Sequence, residues 1–359
     1  MKNKIKNIVL FLLMFILITA IVTFAIAIYL DIMDTEESPD KVYTVNMIKL
    51  DTKDVRNENA KDTQIETSNN MINIAFFYNQ LTNTQKKLYD GLKENKEKMM
   101  NGTYQIEYGN IFSDIINEES GKEKLGDDYQ SAVEAFLYDN PDVFYIDANK
   151  LYLTVETSNR LFKKTNNVYI GPKDNSNYYV DGFESEQQVK SAMKKIQASR
   201  DEVLRNLTDN TYRNVLKIHD YLIDTIDYDQ DYSSIGSYSV YGALVDKKCV
   251  CEGYAKALKY LLNAADIPCI IVQGTAINST GKSESHAWNC VYVNDEWYYI
   301  DATWNDPIII GKGTIAKSIQ YKYFLKGSKT MSKDHTLVYK FSDRGKTFWY
   351  PKVSEKDYK

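Results

Sequence analysis

From Ile8 to Leu30 the chain runs 23 residues without a charge, IVLFLLMFILITAIVTFAIAIYL. At about 1.5 Å of rise per residue, a helix of that length matches a hydrocarbon core ~30 Å thick. A helix in the core of a water-soluble domain would keep one polar face, and this run has none. Lys2, Lys4 and Lys6 precede it, while Asp31, Asp34, Glu36 and Glu37 follow. Basic flanks stay on the cytoplasmic side, so residues 1–30 are expected to form a single-pass anchor with the N-terminus inside and the folded part outside the cell. A cleaved signal peptide is the rival reading, because Ala25-Ile26-Ala27 resembles a small-residue cleavage site; it would leave a secreted protein. Signal cores are usually about 7–15 residues, shorter than this run, which favours the anchor. No cysteine lies near the segment, which excludes a lipoprotein anchor.

Without those three lysines, 41 of the 44 Lys+Arg remain against 49 Asp+Glu, a net charge of −8 for everything after the run. That acidic balance argues against a nucleic-acid partner. Charged residues at 26% and hydrophobic ones at 43% exclude wholesale disorder, and 359 residues suffice for one large domain or two modest ones. Four cysteines are too few to build a disulfide framework.

Residues 31–70 are polar, mixed in charge and poor in aromatics, and read as a flexible linker between membrane and domain. Residues 71–207 read as a mixed α/β support region. Thr82-Asn83-Thr84-Gln85 has capping-box spacing and predicts a helix through Leu88 and Leu92 toward Met100. A second helix is expected over 130–138, stopping before Asn140-Pro141. VFYI (143–146), LYLTV (151–155), VYIG (168–171) and NYYV (177–180) suggest short strands. Helical spacing returns over 184–207 and again over about 209–228.

The chemistry concentrates in residues 241–306. In YGALVDKKCVCEGYAKALKYLLNAADIPCIIVQG a loop leads into a helix that Cys251 opens, with Ala255, Leu258, Leu261 and Leu262 on its apolar face, and then into a strand over 270–272. A helix N-terminus offers free N–H groups and a positive dipole end, surroundings that favour a thiolate. A lone cysteine is nevertheless more often an inert small hydrophobe. Next, SESHAWNCVYVNDEWYYIDATWNDP alternates with period 2 on both sides of Asn294-Asp295, two residues that tolerate the positive φ of a tight turn. The resulting hairpin sets Val293 opposite Glu296 and carries His286 and Asp301 on one face, about a diagonal step apart. Cysteine, histidine and aspartate have complementary roles: nucleophile, general base, and the acid that orients the base.

The strings VCEGYAKALKYLLNAADIPC and HAWNCVYVNDEWYYIDATW resemble the core of the transglutaminase-like superfamily, which includes papain-like cysteine peptidases. The pattern of a helix-capping Cys, a His beginning a strand and an Asp on the next strand is met by Cys251, His286 and Asp301 at spacings of 35 and 15, and the likeness covers roughly 210–325. It implies a thiolate attacking a peptide or carboxamide carbonyl and an acyl-enzyme passed to water or an amine. The backbone N–H of Cys251 would be one oxyanion donor, with Tyr241 or Ser239 as candidates for the other.

Cys249, two residues before Cys251, competes for the nucleophile's role, but the Cys-Glu-Gly-Tyr-Ala run matches the family at Cys251. Cys269 and Cys290 sit in apolar, strand-like surroundings. Zinc is the other use of Cys249, Cys251, His286 and Cys290, yet Cys-x-Cys is not the usual ligand spacing, so neither metal nor cofactor is expected. His219 reads as structural, and His335 as a brace for the C-terminal segment. Trp288, Trp297 and Trp304 bracket the site as core packing or as channel lining. The last segment, about 307–359, is expected to add strands around the hairpin.

The expected fold is α+β: a transglutaminase-like domain over 208–359, its Cys-bearing helix packed on an antiparallel sheet, behind the support region and the anchor. The expected function is a membrane-anchored thiol enzyme, protease or acyltransferase, acting on a protein or peptide at the cell envelope. The alternative is an inactive surface binding module on the same fold.

Overall fold

The computed structural model describes residues 14, 16–26, 29, 42–51, 75–159, 164–307 and 315–359. Of the span expected at 8–30, residues 14, 16–26 and 29 are described, and they are helical and exposed. Among the described residues no helix is long and apolar enough to cross a membrane, and the rest of that span lies outside them.

Contacts divide the chain into two units. The first comprises Met1–Ile48, Glu107–Lys122 and Leu153–Tyr169. Its strands β1 (Val42–Lys49), β2 (Ile106–Gly109), β3 (Tyr152–Asn159) and β4 (Lys164–Gly171) form one sheet in the order β1-β3-β4-β2. Along β3 every second residue is buried, the period of a sheet with one covered face. LYLTV and VYIG therefore are strands. β1 was not expected, since it lies inside the stretch read as a linker. Its run VYTVNMIK has strand character that the polarity of the surrounding forty residues obscured. Residues 31–41 and 52–70 of that stretch lie outside the described residues.

The second unit comprises Lys49–Ile106, Glu123–Tyr152 and Ile170–Lys359. It holds α1 (Asn83–Glu94), nearly all of α2 (Gly121–Asp139), α3 (Glu186–Leu204), α4 (Thr211–Thr225) and α5 (Cys251–Ala264). Thr82 caps α1 as its spacing requires: its hydroxyl accepts from the Gln85 N–H, and the Gln85 side chain accepts from the Thr82 N–H at 3.0 Å. α1 stops at Glu94, and a 3-10 turn covers Lys98–Met100. Residues 143–146 and 177–180 are not strands; one bridge, Ile146↔Tyr179, joins them. Tyrosine hydroxyls replace a ladder there, Tyr145 donating to Lys96 O and Tyr178 to Asn101 O.

The sheet of this unit is antiparallel throughout, in the order β10-β7-β8-β9, from β7 (Cys269–Ile277), β8 (Ser283–Val293), β9 (Glu296–Ile300) and β10 (His335–Leu337). Asn294 and Asp295 take φ of 49° and 67°, the left-handed turn, and Val293 faces Glu296 as the turn predicted. α5 lies on this sheet, burying Tyr254, Ala255, Leu258, Leu261 and Leu262. Its Lys259, fully buried, donates to Cys269 O at 2.8 Å and faces the buried carboxylate of Asp139. Asp139 in turn accepts from the Phe77 and Tyr78 N–H groups, so residues before α2 are tied to the same core.

Of the segments expected as strands after residue 307, His335–Leu337 joins the sheet at the edge of β7, and single bridges tie Lys326 to Tyr299 and Val353 to Trp297 of β9. Phe341, Phe348 and Tyr350 pack around Phe77 instead, with ring centroids 5.9, 5.4 and 6.3 Å away. Their apolar area is buried in a side-chain cluster, which draws the segment off the sheet.

Candidate active site

The approach to Cys251 is held by β5 (Asp227–Tyr228) and β6 (Lys248–Cys249), two short parallel strands that pair Tyr228 with Cys249. Just after β5 the buried Asp229 accepts from the Ser233 N–H (3.1 Å), the Ser234 N–H (2.9 Å) and the Ser237 hydroxyl (2.5 Å). Burial works against its charge, but these bonds and Lys248 outweigh it and hold its carboxyl well below the usual range. The carbonyl of Ser237 accepts from the Val250 N–H at 2.9 Å, so the loop is fixed directly against the residue before Cys251. Val250, the N-cap of α5, makes no side-chain cap bond to the first turn.

Cys251 is the first residue of α5 and is partly exposed. With Tyr138 it packs against Ala255, Ile271 and Ala287. Gly253 is required two residues on. A Cβ there would lie 2.5 Å from Cys249 Cβ, 2.7 Å from Cys249 Sγ and 2.9 Å from Ser237 O. The other three cysteines are buried. Burial pushes the thiols of Cys249 and Cys290 well above their ordinary value and that of Cys269 up to about 12.

His286 stands in β8 opposite Gly274 of β7, and Asp301 follows the last residue of β9. Nε2 of His286 is 2.8 Å from Oδ2 of Asp301, and both residues are buried. The Trp304 N–H donates to Oδ1 of Asp301 at 3.1 Å. The Cys251 thiol lies near enough to the His286 ring to help raise its pKa. With Nε2 on Asp301, Nδ1 is the nitrogen left for sulfur. Burial opposes charge on both groups, yet their mutual attraction prevails. Asp301 is held well below the usual carboxylate range, and His286 is raised well above the usual imidazole range by Asp301 and then by Cys251. The three residues singled out in the sequence therefore meet.

Of the other two histidines, one differs from the sequence reading. His219 is fully buried, with Asp220 on Nδ1 and Asn305 on Nε2, each at 3.0 Å, the structural role expected. His335 does more than brace the tail: its Nε2 lies 3.2 Å from Oδ2 of Asp301 and its Nδ1 2.7 Å from Oδ1 of Asp334. No motif marks it, since it lies 34 residues beyond Asp301 and reaches it only through strand pairing. Trp304 lines a cleft of about 660 Å³ with Tyr228, Glu284, His286 and Asp306, whereas Trp288 and Trp297 are buried. Tyr228, also missed in the sequence, is raised by burial and then by the proximity of Cys251. A second cleft, of about 730 Å³, is lined by Tyr138, Phe144, Ser239, Glu252 and Lys256. Ser239 and Tyr241 are engaged in packing. The Ser239 hydroxyl donates to Gly236 O at 2.8 Å, and the Tyr241 ring stacks on Phe144.

Among the described residues, the group whose atoms could share a metal ion is His286, Asp301 and His335, with ligand atoms within 4.8 Å of one another, not the thiol-rich set. The facing atoms of that group are already hydrogen-bonded to each other.

The family model of the transglutaminase-like superfamily matches residues 197–302. The chain is similar to kyphoscoliosis peptidase of Mus musculus, 33% identical over 70 residues, 18% of this chain and 11% of that protein. It is also similar to kyphoscoliosis peptidase of Homo sapiens, 30% identical over 100 residues, 25% of this chain and 15% of that protein. The match thus spans less than a sixth of either relative's length. Among solved structures it is similar to a TGase at 17% identity and a TM-score of 0.27, covering 47% of this chain and 48% of that one. It is likewise similar to the periplasmic domain of TgpA from Pseudomonas aeruginosa at 15% identity and a TM-score of 0.25, covering 43% and 72%. Residues 197–302, in which Cys251, His286 and Asp301 all fall, belong to the transglutaminase-like superfamily.

Proposed function

We propose that Cys251, His286 and Asp301 are nucleophile, general base and orienting acid of a thiol enzyme that acts on peptide or carboxamide carbonyls. One observation carries this reading. Of the four cysteines only Cys251 is partly exposed, and its thiol meets a histidine that a buried carboxylate holds by a 2.8 Å bond. His286 takes the thiol proton, sulfur bonds to the carbonyl carbon, and the carbonyl oxygen gains negative charge. The uncapped first turn of α5 supplies backbone N–H groups for that oxygen, that of Cys251 among them. His286 then gives its proton to the departing amine as the C–N bond breaks, and water or a second amine releases the acyl group. The two clefts, with Glu252 beside Cys251 in one and His286 in the other, leave room for a chain on both sides of the scissile bond. The substrate class that fits is a peptide or protein. Residues 8–30 would hold the domain on the outer face of a cell membrane, a role supported by an uncharged run whose described side chains, Leu17, Ile21 and Phe24 among them, stand exposed.

The test is thiol alkylation of the full chain by iodoacetamide near neutral pH. Cys251 is expected to react fastest, and the His286→Ala variant to lose that advantage. Equal slow labelling of all four cysteines, unchanged in His286→Ala, sinks the proposal. Incorporation of a labelled amine into a glutamine-bearing protein distinguishes transamidation from proteolysis, which shortens the substrate.

A further inference from the structure

We infer that His335 is a positioning residue for this site, the far end of a continuous chain Asp334–His335–Asp301–His286–Cys251; the inference rests on the proposed role of Cys251. Oδ2 of Asp301 receives two rings, His286 at 2.8 Å and His335 at 3.2 Å, while Oδ1 takes the Trp304 N–H at 3.1 Å. The carboxylate is thereby fixed from three sides, more than orienting one imidazole requires. His335 is itself fixed. Nδ1 faces Asp334 at 2.7 Å, and the other oxygen of Asp334 accepts from the Tyr323 hydroxyl at 2.7 Å. Asp301, held ionised, only accepts, so the ring meets it as a donor through Nε2. Its faces and edges are covered by Trp304, Trp288 and Tyr323, with centroids 4.6, 4.9 and 5.4 Å away, which leaves the ring little freedom to turn.

The sheet explains how a residue so distant in sequence arrives there. His335 starts β10, and β7 separates β10 from β8, where His286 stands. Opposite His286 the β7 residue is Gly274. A Cβ there would lie 2.5 Å from the Trp288 ring and 2.1 Å from Thr336 O. The missing side chain lets Trp288 fill the space over β7 and lets β10 lie close, bringing His335 over to Asp301.

The experiment compares His335→Phe, which keeps a packed ring and loses the donor, with His335→Gln, which keeps an N–H donor. The full chain is treated with iodoacetamide at neutral pH, and thermal unfolding and the downfield imidazole N–H proton signals are recorded in parallel. Misplacing a reacting group by about 1 Å costs on the order of 100-fold. Labelling of Cys251 is therefore expected to slow at least about tenfold in the Phe variant and to recover largely in the Gln variant. The Phe variant should also lose the N–H signal of the His335–Asp301 bond and shift that of His286. Wild-type rates in both variants, with Cys251 still faster than the other cysteines, overturn this inference and leave the nucleophile assignment standing. Equal slowing in both, with a matching drop in melting temperature, assigns His335 to fold stability and also overturns it. A wild-type Cys251 no faster than the other cysteines removes the enzyme reading itself, and this inference with it.

Discussion

Nε2 of His286 and Oδ2 of Asp301 lie 2.8 Å apart although the two residues occupy no paired position of the β8–β9 ladder. The ladder ends at Asn289↔Ile300. Beyond it β8 continues against β7, and the Asp301 N–H turns to Tyr323 O at 3.0 Å. Leaving the sheet frees Asp301 from strand geometry and points its carboxylate back across the end of β9 to His286. The Trp304 N–H, three residues on, secures it in that pose.

Asp301→Asn removes the charge that holds His286 above the ordinary imidazole value of 6.5. A group raised in the folded state stabilises fully below its unfolded value, and that stability fades as pH rises through the folded one. Asp301 is shifted the opposite way, so its share is present above 3.8 and lost as pH falls below it. The wild-type melting temperature is expected to decline on both sides of that range, and the Asn variant to show a flatter profile on the alkaline side. Removing one partner of a buried pair costs about 3–5 kcal/mol. Identical melting profiles for the two proteins between pH 6 and pH 9, at about one-unit steps, contradict the pairing.

Gly253→Ala places a methyl group against Cys249 and Ser237 O at 2.5–2.9 Å. The loop before α5 must shift, at a cost of about 1–3 kcal/mol for an overpacked site. Lower thermal stability together with slower alkylation of Cys251 is the expected pair of results. A variant as stable and as reactive as wild type would mean that the turn has slack the packing does not show.

Asp229→Ala takes the acceptor from Ser233, Ser234 and Ser237, leaving donors near the nucleophile unsatisfied. About 1–3 kcal/mol is expected for each buried group so orphaned. Because the carboxyl is held below its usual range, its support for the loop is present above 3.8 and fades as pH falls. Hydrogen exchange of the 229–239 amides should rise in the Ala variant while those of α3 stay unchanged; equal exchange in both proteins argues against Asp229 as the anchor of this loop.

The full chain is expected to stay with membranes through an alkaline carbonate wash, and a chain lacking residues 1–30 to be released. Recovery of the full chain in the wash supernatant contradicts the anchor proposed for residues 8–30.

Local chemistry made much of this protein legible in its sequence. Thr82 and Gln85 satisfy each other's backbone within one turn, Asn294-Asp295 sets the register of its own hairpin, and Cys251 opens a helix whose apolar face is written every three or four residues. Each signal lies within a few residues, where sterics and hydrogen bonding act directly. β1 eluded that reading because its pattern occupies eight residues of a polar stretch, and the tyrosine-rich turns at 143–146 and 177–180 because their hydrogen bonds go to distant backbone through phenol groups. The buried Lys259 beside Asp139, the exclusion of three of the four thiols from water, and the meeting of His335 with Asp301 over Gly274 were decided by tertiary structure alone. Burial and long-range contact set which polar groups lose water and which partners replace it, and neither exists until the sheet and helices have packed.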